Sequence, residues 1–325
     1  MKRLFVLLLL LSIQAQATPS QMKVVKALAF NSDGSKLAVV GIGPGARFAN
    51  PGRLEVWNTE TGSLLLSAQD VGTFTSVQFR DDGKFILTGA EDSSVSLWSA
   101  TTGKKQGSLK GFSAQVWDVA FRPQGAEVAA AGGWNDGQVL RWNAGPGTPK
   151  WSFKNPGDPL YSVAYSPDGA LLAAGDRKGI ARVWLLMTED LILELKDHSG
   201  WVIDLAFSSG GRFLAALAGK DVHIYDITSG EKVQKLADEV QSLKSLAWYP
   251  DESRLVAGGI DFDQSSNCRA QVWEVQSGQK LFSLDGHRGF VNVAVSPDGE
   301  VIATGDEDGK VRLWDAQSGQ LRSSL

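Results

Sequence analysis

The chain has 325 residues, 43% of them hydrophobic and 21% charged, with a formal net charge of −4. That composition suits a folded protein with a large core and argues against a disordered one. A mildly acidic balance without a concentrated Lys/Arg run speaks against binding a phosphate backbone, which sets nucleic acid aside as a partner. From the start of the chain, residues 1–17 read as a cleaved signal peptide. Lys2 and Arg3 supply the charged n-region, Leu4 to Ile13 the apolar stretch, and Ala15-Gln16-Ala17 the small-x-small pattern before the cut. The apolar stretch is shorter than the about 20 residues that span a bilayer, so no membrane insertion is expected once it is removed. Removal deletes Lys2 and Arg3 and takes the net charge from −4 to −6. The expected location is the periplasm or the extracellular space. Cys268 is the single cysteine, so no intrachain disulfide can form, and it reads as a loop thiol.

Residues 18–325 are dominated by self-similarity. An aromatic residue closes a short β-rich run at Trp57, Trp98, Trp142, Trp184, Tyr225, Trp273 and Trp314, at steps of 41 to 48 residues. Upstream of each lies a tight turn between two apolar runs, beginning at Asn31, Arg80, Arg122, Ser166, Ser208, Tyr249 and Ser296. Pro and Asp favour the early turn positions, and Gly takes the later one at little steric cost. Each repeat divides into four short strands. In the last these are Phe290–Val295, Glu300–Thr304, Lys310–Trp314 and Gln320–Ser324.

With SPDG at Ser296 to Gly299 followed by Gly305-Asp306 and Trp314-Asp315, the chain resembles the WD-repeat (WD40) β-propeller family, over roughly residues 24 to 325. The resemblance implies an all-β, seven-bladed propeller of four-stranded antiparallel blades, in a monomeric ring. It also implies a buried network of His, Ser/Thr, Asp and Trp, complete only in the seventh repeat as His287, Thr304, Asp308 and Trp314. Strand a of the first repeat begins near Val24 and the seventh repeat holds its own strand d, so seven self-contained blades without strand exchange are expected.

No catalytic constellation stands out. The three histidines, His198, His223 and His287, read as structural, and no nucleophile elbow, zinc-ligand motif or phosphate loop occurs. Neither a cofactor nor a metal is expected. Two long loops, Gly41–Gly52 and Gly259–Arg269, break the repeat on the face where family members dock partners. Aromatics gather in repeats three to five. Trp117 and Tyr161 occupy a position that elsewhere holds Lys26, Thr75, Ile203, Lys244 and Val291, and a slot open to Lys and Thr is not a core slot. Trp117, Trp134, Tyr161, Phe112 and Trp201 are therefore the candidate partner-binding residues, although Trp201 and Phe290 also suit packing between blades. The expected function is a non-catalytic interaction module or scaffold that binds a protein or peptide on this loop face. The alternative is an exported propeller enzyme or small-ligand binder using the central channel.

Overall fold

In a computed structural model, described for residues 20–44, 51–143, 147–237, 242–261 and 268–325, the chain forms seven four-stranded antiparallel sheets arranged around a channel. Blade 1 is β1 (Val24–Phe30), β2 (Lys36–Ile42), β3 (Gly52–Asn58) and β4 (Leu64–Asp70); blade 2 is β5 (Phe74–Phe79), β6 (Phe85–Ala90), β7 (Val95–Ser99) and β8 (Lys105–Leu109). Blade 3 is β9 (Val116–Phe121), β10 (Glu127–Gly132), β11 (Asp136–Asn143) and β12 (Trp151–Pro156); blade 4 is β13 (Leu160–Tyr165), β14 (Leu171–Asp176), β15 (Ala181–Leu185) and β16 (Asp190–Leu195). Blade 5 is β17 (Val202–Phe207), β18 (Phe213–Ala218), β19 (Asp221–Asp226) and β20 (Lys232–Ala237); blade 6 is β21 (Ser242–Trp248), β22 (Arg254–Ile260), β23 (Cys268–Glu274) and β24 (Lys280–His287). Blade 7 is β25 (Asn292–Val295), β26 (Val301–Gly305), β27 (Val311–Asp315) and β28 (Leu321–Ser324). Each blade takes its strands in sequence order, a to d, from the channel outward. No helix of the described residues is long and apolar enough to cross a membrane.

The strand pattern follows from position. Strand b, sandwiched between neighbouring blades, is buried nearly throughout, as in β10 and β22. Strand d alternates with solvent, as in β4, because only one of its faces is covered. Seven apolar clusters fill the seven joints between blades, each drawing side chains from two neighbours. Blade 7 holds all four of its strands, as expected, so the ring closes by side-chain packing and a few hydrogen bonds, without a shared strand. Met22, Val25 and Leu28 meet Ala294, Ala303, Val311 and Leu313, and Val25 N donates to Asp306 O at 2.9 Å. Cys268 is not a loop thiol: it opens β23 and is fully buried in the joint of blades 6 and 7, out of reach of another chain.

The residues expected to form the network of blade 7 make two separate pairs, with one change of partner, and His287 Nε2 is buried without a hydrogen-bond partner. Trp314 Nε1 donates to Thr304 Oγ1 at 2.8 Å, and His287 Nδ1 lies 3.2 Å from a carboxylate. That carboxylate belongs to Asp306, not Asp308. Asp306 directly follows strand b, where its Oδ1 accepts the Asp308 and Lys310 amides and its Oδ2 the Arg312 guanidinium. Asp308 sits at the exposed turn tip, 3.6 Å from Arg288 Nε.

Blade 2 keeps the Trp–Thr bond, Trp98 Nε1 to Thr88 Oγ1 at 2.9 Å. In blades 1 and 6 the equivalent indoles, Trp57 Nε1 and Trp273 Nε1, are buried without a hydrogen-bond partner. Register explains the deficit. Thr88 and Thr304 stand two residues past the strand-b residue opposite the Trp, and in blade 1 that position is Val39. A buried unsatisfied donor costs roughly 1–3 kcal/mol. Val39→Thr keeps the side-chain shape and brings a hydroxyl to Trp57, so a gain of about 1 kcal/mol is expected, read as a raised urea midpoint at unchanged m-value. Core Val→Thr changes ordinarily destabilise, so a lowered midpoint would sink this account.

Candidate functional site

Strand a is the edge strand of each blade and faces the channel, so half of its backbone groups have no sheet partner. A belt of side chains near its start meets this need by reaching to the next blade. Asp118 accepts from Val163 N (2.9 Å), Ser162 from Leu205 N (3.1 Å) and Asp204 from Leu246 N (2.8 Å). Ser245 accepts from Val293 N (3.3 Å), and Asn292 Nδ2 donates to Val25 O (3.2 Å). Asp118 also takes hydroxyl bonds from Ser76 and Ser162. Burial raises the carboxyl of Asp118. Burial, followed by the charge of Asp118, pushes Asp204 up to about 7, and burial lowers the ammonium of Lys244 nearby. The acids of the channel are thus committed to holding blades together.

One residue earlier on strand a, side chains point into the channel mouth, a cavity of about 820 Å³. Here the sequence-level candidates separate into two groups. Trp117 is the second residue of β9 and Tyr161 the second of β13, and their rings lie 5.7 Å apart. Trp134, in the b–c turn of blade 3, stands 6.0 Å from Trp117 on one side. Trp201, in the d–a loop before β17, stacks on Tyr161 at 5.4 Å and 14° on the other. Four rings from three consecutive blades therefore form one row. Trp134 and Trp201 are 54% and 53% exposed, so the row presents ring surface rather than filling a core. Trp117 Nε1 donates to Gly133 O at 3.3 Å and fixes its indole against the Trp134 turn.

Phe112 does not join the row. It packs against Trp142, 6.1 Å between centroids, in the joint of blades 2 and 3. Phe290 likewise packs in the joint of blades 6 and 7, whereas Trp201 leaves its joint for Tyr161. Sequence comparison between repeats could find Trp117 and Tyr161, because the aligned residues include Lys26, Thr75 and Lys244. It could not find their stacking with Trp134 and Trp201, which come from loops of different length. Of the two long loops, residues 45–50 and 262–267 lie outside the described residues.

The same end of the ring carries a second polar group that the repeat pattern does not single out. In the d–a loop between blades 4 and 5, Asp197 and His198 meet His223 and Tyr225 of β19. Burial lowers both imidazoles, His223 to about 4.

The WD domain, G-beta repeat family matches residues 62–99, 103–143, 147–184, 189–226 and 278–315, together more than half of the chain. Strands a to c of blades 1 and 6, which carry the long loops, fall outside these matches. The chain is similar to the serine-threonine kinase receptor-associated protein of Rattus norvegicus, 28% identical over 148 residues that cover 42% of this chain and 40% of that protein. Its Dictyostelium discoideum counterpart is 34% identical over 116 residues, 35% of this chain and 36% of the relative. The chain thus spans well under two thirds of these relatives' lengths. Among solved structures, a chain of the mitotic checkpoint complex superposes with a TM-score of 0.76, covering 91% of this chain and 88% of that one at 19% identity. That likeness concerns the fold alone.

Proposed function

The chain belongs to the WD40 family of G-beta repeats, and on that footing we propose that it is a non-catalytic scaffold that holds an extended segment of another protein across the mouth of its channel. WD40 propellers generally bind protein partners. The observation that carries the site is the unbroken row Trp134–Trp117–Tyr161–Trp201, with centroid steps of 6.0, 5.7 and 5.4 Å. Alternate side chains of an extended peptide repeat about every 6.6 Å, close to these steps, so apolar residues at every second position meet successive rings. Tyr and Trp bury much area with few rotors to freeze, which is why such residues dominate binding energy. The signal-peptide reading of residues 1–17 sets the scaffold and its partner in the periplasm or outside the cell.

A small-ligand binder in the channel is the competing reading, since a cavity of about 820 Å³ has the right size. The engagement of Asp118 and Asp204 with backbone amides argues against it, because those acids have structural work and no geometry around a reacting atom. Capture from the exported fraction tests the proposal, comparing wild type with a Trp117→Ala/Tyr161→Ala variant. Loss of a specific protein, with affinity for it reduced at least about tenfold, is the expected result. Identical partner sets for both proteins would remove the site. A small molecule seen bound by native mass spectrometry, with no captured protein, would favour the channel reading.

A further inference from the structure

The cluster in blade 5 departs from its counterparts in a chemically specific way. In blades 4 and 7 a strand-c arginine neutralises the turn carboxylate: Arg182 with Asp176 at 2.7 Å, Arg312 with Asp306 at 2.8 Å. In blade 5 the arginine position is His223, the turn position is Ala218, and the Trp position is Tyr225. The carboxylate comes instead from Asp197 of the d–a loop. A permanent cation has been exchanged for an imidazole, and the lone pairs it would have compensated remain.

A proton count makes this concrete. His198 Nδ1 lies 2.9 Å from Gly179 O, so Nδ1 carries the proton and Nε2 offers a lone pair. That lone pair faces the Tyr225 oxygen at 3.1 Å. The phenol has one proton and donates it to Asp197 Oδ1, so nothing is left for His198 Nε2. The His223 ring stacks on that of His198 at 4.9 Å and 21°, with its Nδ1 3.2 Å from the same phenol oxygen. Lys232 pairs with Asp197 Oδ2 and leaves Oδ1 turned inward.

We propose that His198 Nε2, His223 Nδ1, Asp197 Oδ1 and the Tyr225 oxygen form a binding site for one divalent transition cation of the Zn²⁺ class. Tetrahedral Zn²⁺ with bonds of about 2.0–2.1 Å sets its ligand atoms about 3.3–3.4 Å apart. Three edges of the cluster are 3.1, 3.2 and 3.9 Å; a fourth, the shorter Tyr225–Asp197 hydrogen bond, must open when the ion replaces its proton, and the His and Asp ligand atoms all lie within 4.8 Å of one another. Two imidazoles with two oxygens suit a borderline cation rather than Ca²⁺ or Mg²⁺. The His198 Nδ1–carbonyl bond is the outer contact that orients a metal-binding imidazole. On binding, the ion takes the place of the phenolic proton, which is released to solvent.

The test uses the full chain, stripped with a chelator and titrated with Zn²⁺ by calorimetry. Metal content is then measured after desalting. One zinc per chain, at micromolar affinity or tighter, is expected, and Co²⁺ in its place should give the intense visible absorption of a tetrahedral site. His223→Gln removes a buried ligand, so Asp197→Asn, at a half-exposed position, accompanies it as the variant safe for folding. Each should weaken Zn²⁺ binding by about 100-fold or more, beyond the loss of an outer contact, with the far-UV spectrum of Asp197→Asn unchanged. Absence of saturable one-to-one binding by the wild type would overturn the proposal. So would wild-type affinity in Asp197→Asn.

Discussion

Glu127→Leu is expected to lower the stability of the ring by about 3–5 kcal/mol. Glu127 opens β10 and is 6% exposed. Its carboxylate receives Arg141 Nε at 2.8 Å, the Lys150 ammonium and the Tyr165 hydroxyl at 2.9 Å. Tyr165 belongs to blade 4 and the others to blade 3, so one acid ties two blades. Arg141 is itself 3% exposed. Without Glu127 its guanidinium stays buried with no carboxylate at its Nε, and leaving one member of a buried ion pair behind is what makes such changes costly. Denaturant unfolding reads the change directly. A loss below about 1 kcal/mol, the range of exposed pairs, would mean that water reaches this site.

Gly305→Leu is expected to cost about 1–3 kcal/mol and, unlike its equivalent elsewhere in the ring, to break the cooperativity of unfolding. A Cβ on Gly305 would stand 2.4 Å from Val25 Cγ1 across the joint of blades 7 and 1. Gly175 has the same relation to Val202, with a Cβ at 2.5 Å. The local clash at Gly175 is at least as severe, because its Cβ would also stand 2.7 Å from the Val202 carbonyl oxygen. The difference is that a d–a connection joins blade 4 to blade 5, whereas only non-covalent contacts join blade 7 to blade 1. When Gly175→Leu strains its joint, the connection holds the neighbours at high effective concentration; at Gly305 nothing does. X-ray scattering should show an expanded species at low denaturant for Gly305→Leu and none for Gly175→Leu. Matching, two-state transitions for both variants would show that closure is no weaker than the other joints.

The fold was legible because its determinants are local and repeated. Turn residues such as Ser296-Pro297-Asp298-Gly299 and the strand-c aromatics recur in every repeat, and short apolar runs between turns leave little choice but strands. Assigning Asp308 to the network failed for a stereochemical reason. Spacing along the chain does not say which of two nearby turn acids points inward, and the backbone amides of Asp308 and Lys310 settle that for Asp306. Trp117 and Tyr161 could be read as mouth residues because other repeats place Lys or Thr there. Phe112 could not be excluded in the same way, since its place against Trp142 depends on a joint between two blades. The histidines of blade 5 were invisible as a group for the same reason. His198 and His223 stand 25 positions apart in sequence, and only the pairing of β19 within its sheet sets their rings face to face.

The closing joint bears on how such a ring can change its size. Each sheet draws all four strands from one unbroken stretch, so a whole blade can be copied or lost as one contiguous piece of chain. Duplicating one repeat adds a complete blade, and deleting one removes a complete blade, with no orphan strand left unpaired. A ring closed by an exchanged strand lacks this freedom, because its last sheet depends on two distant segments at once. Here the adjustment falls entirely on the apolar joint around Val25 and Gly305.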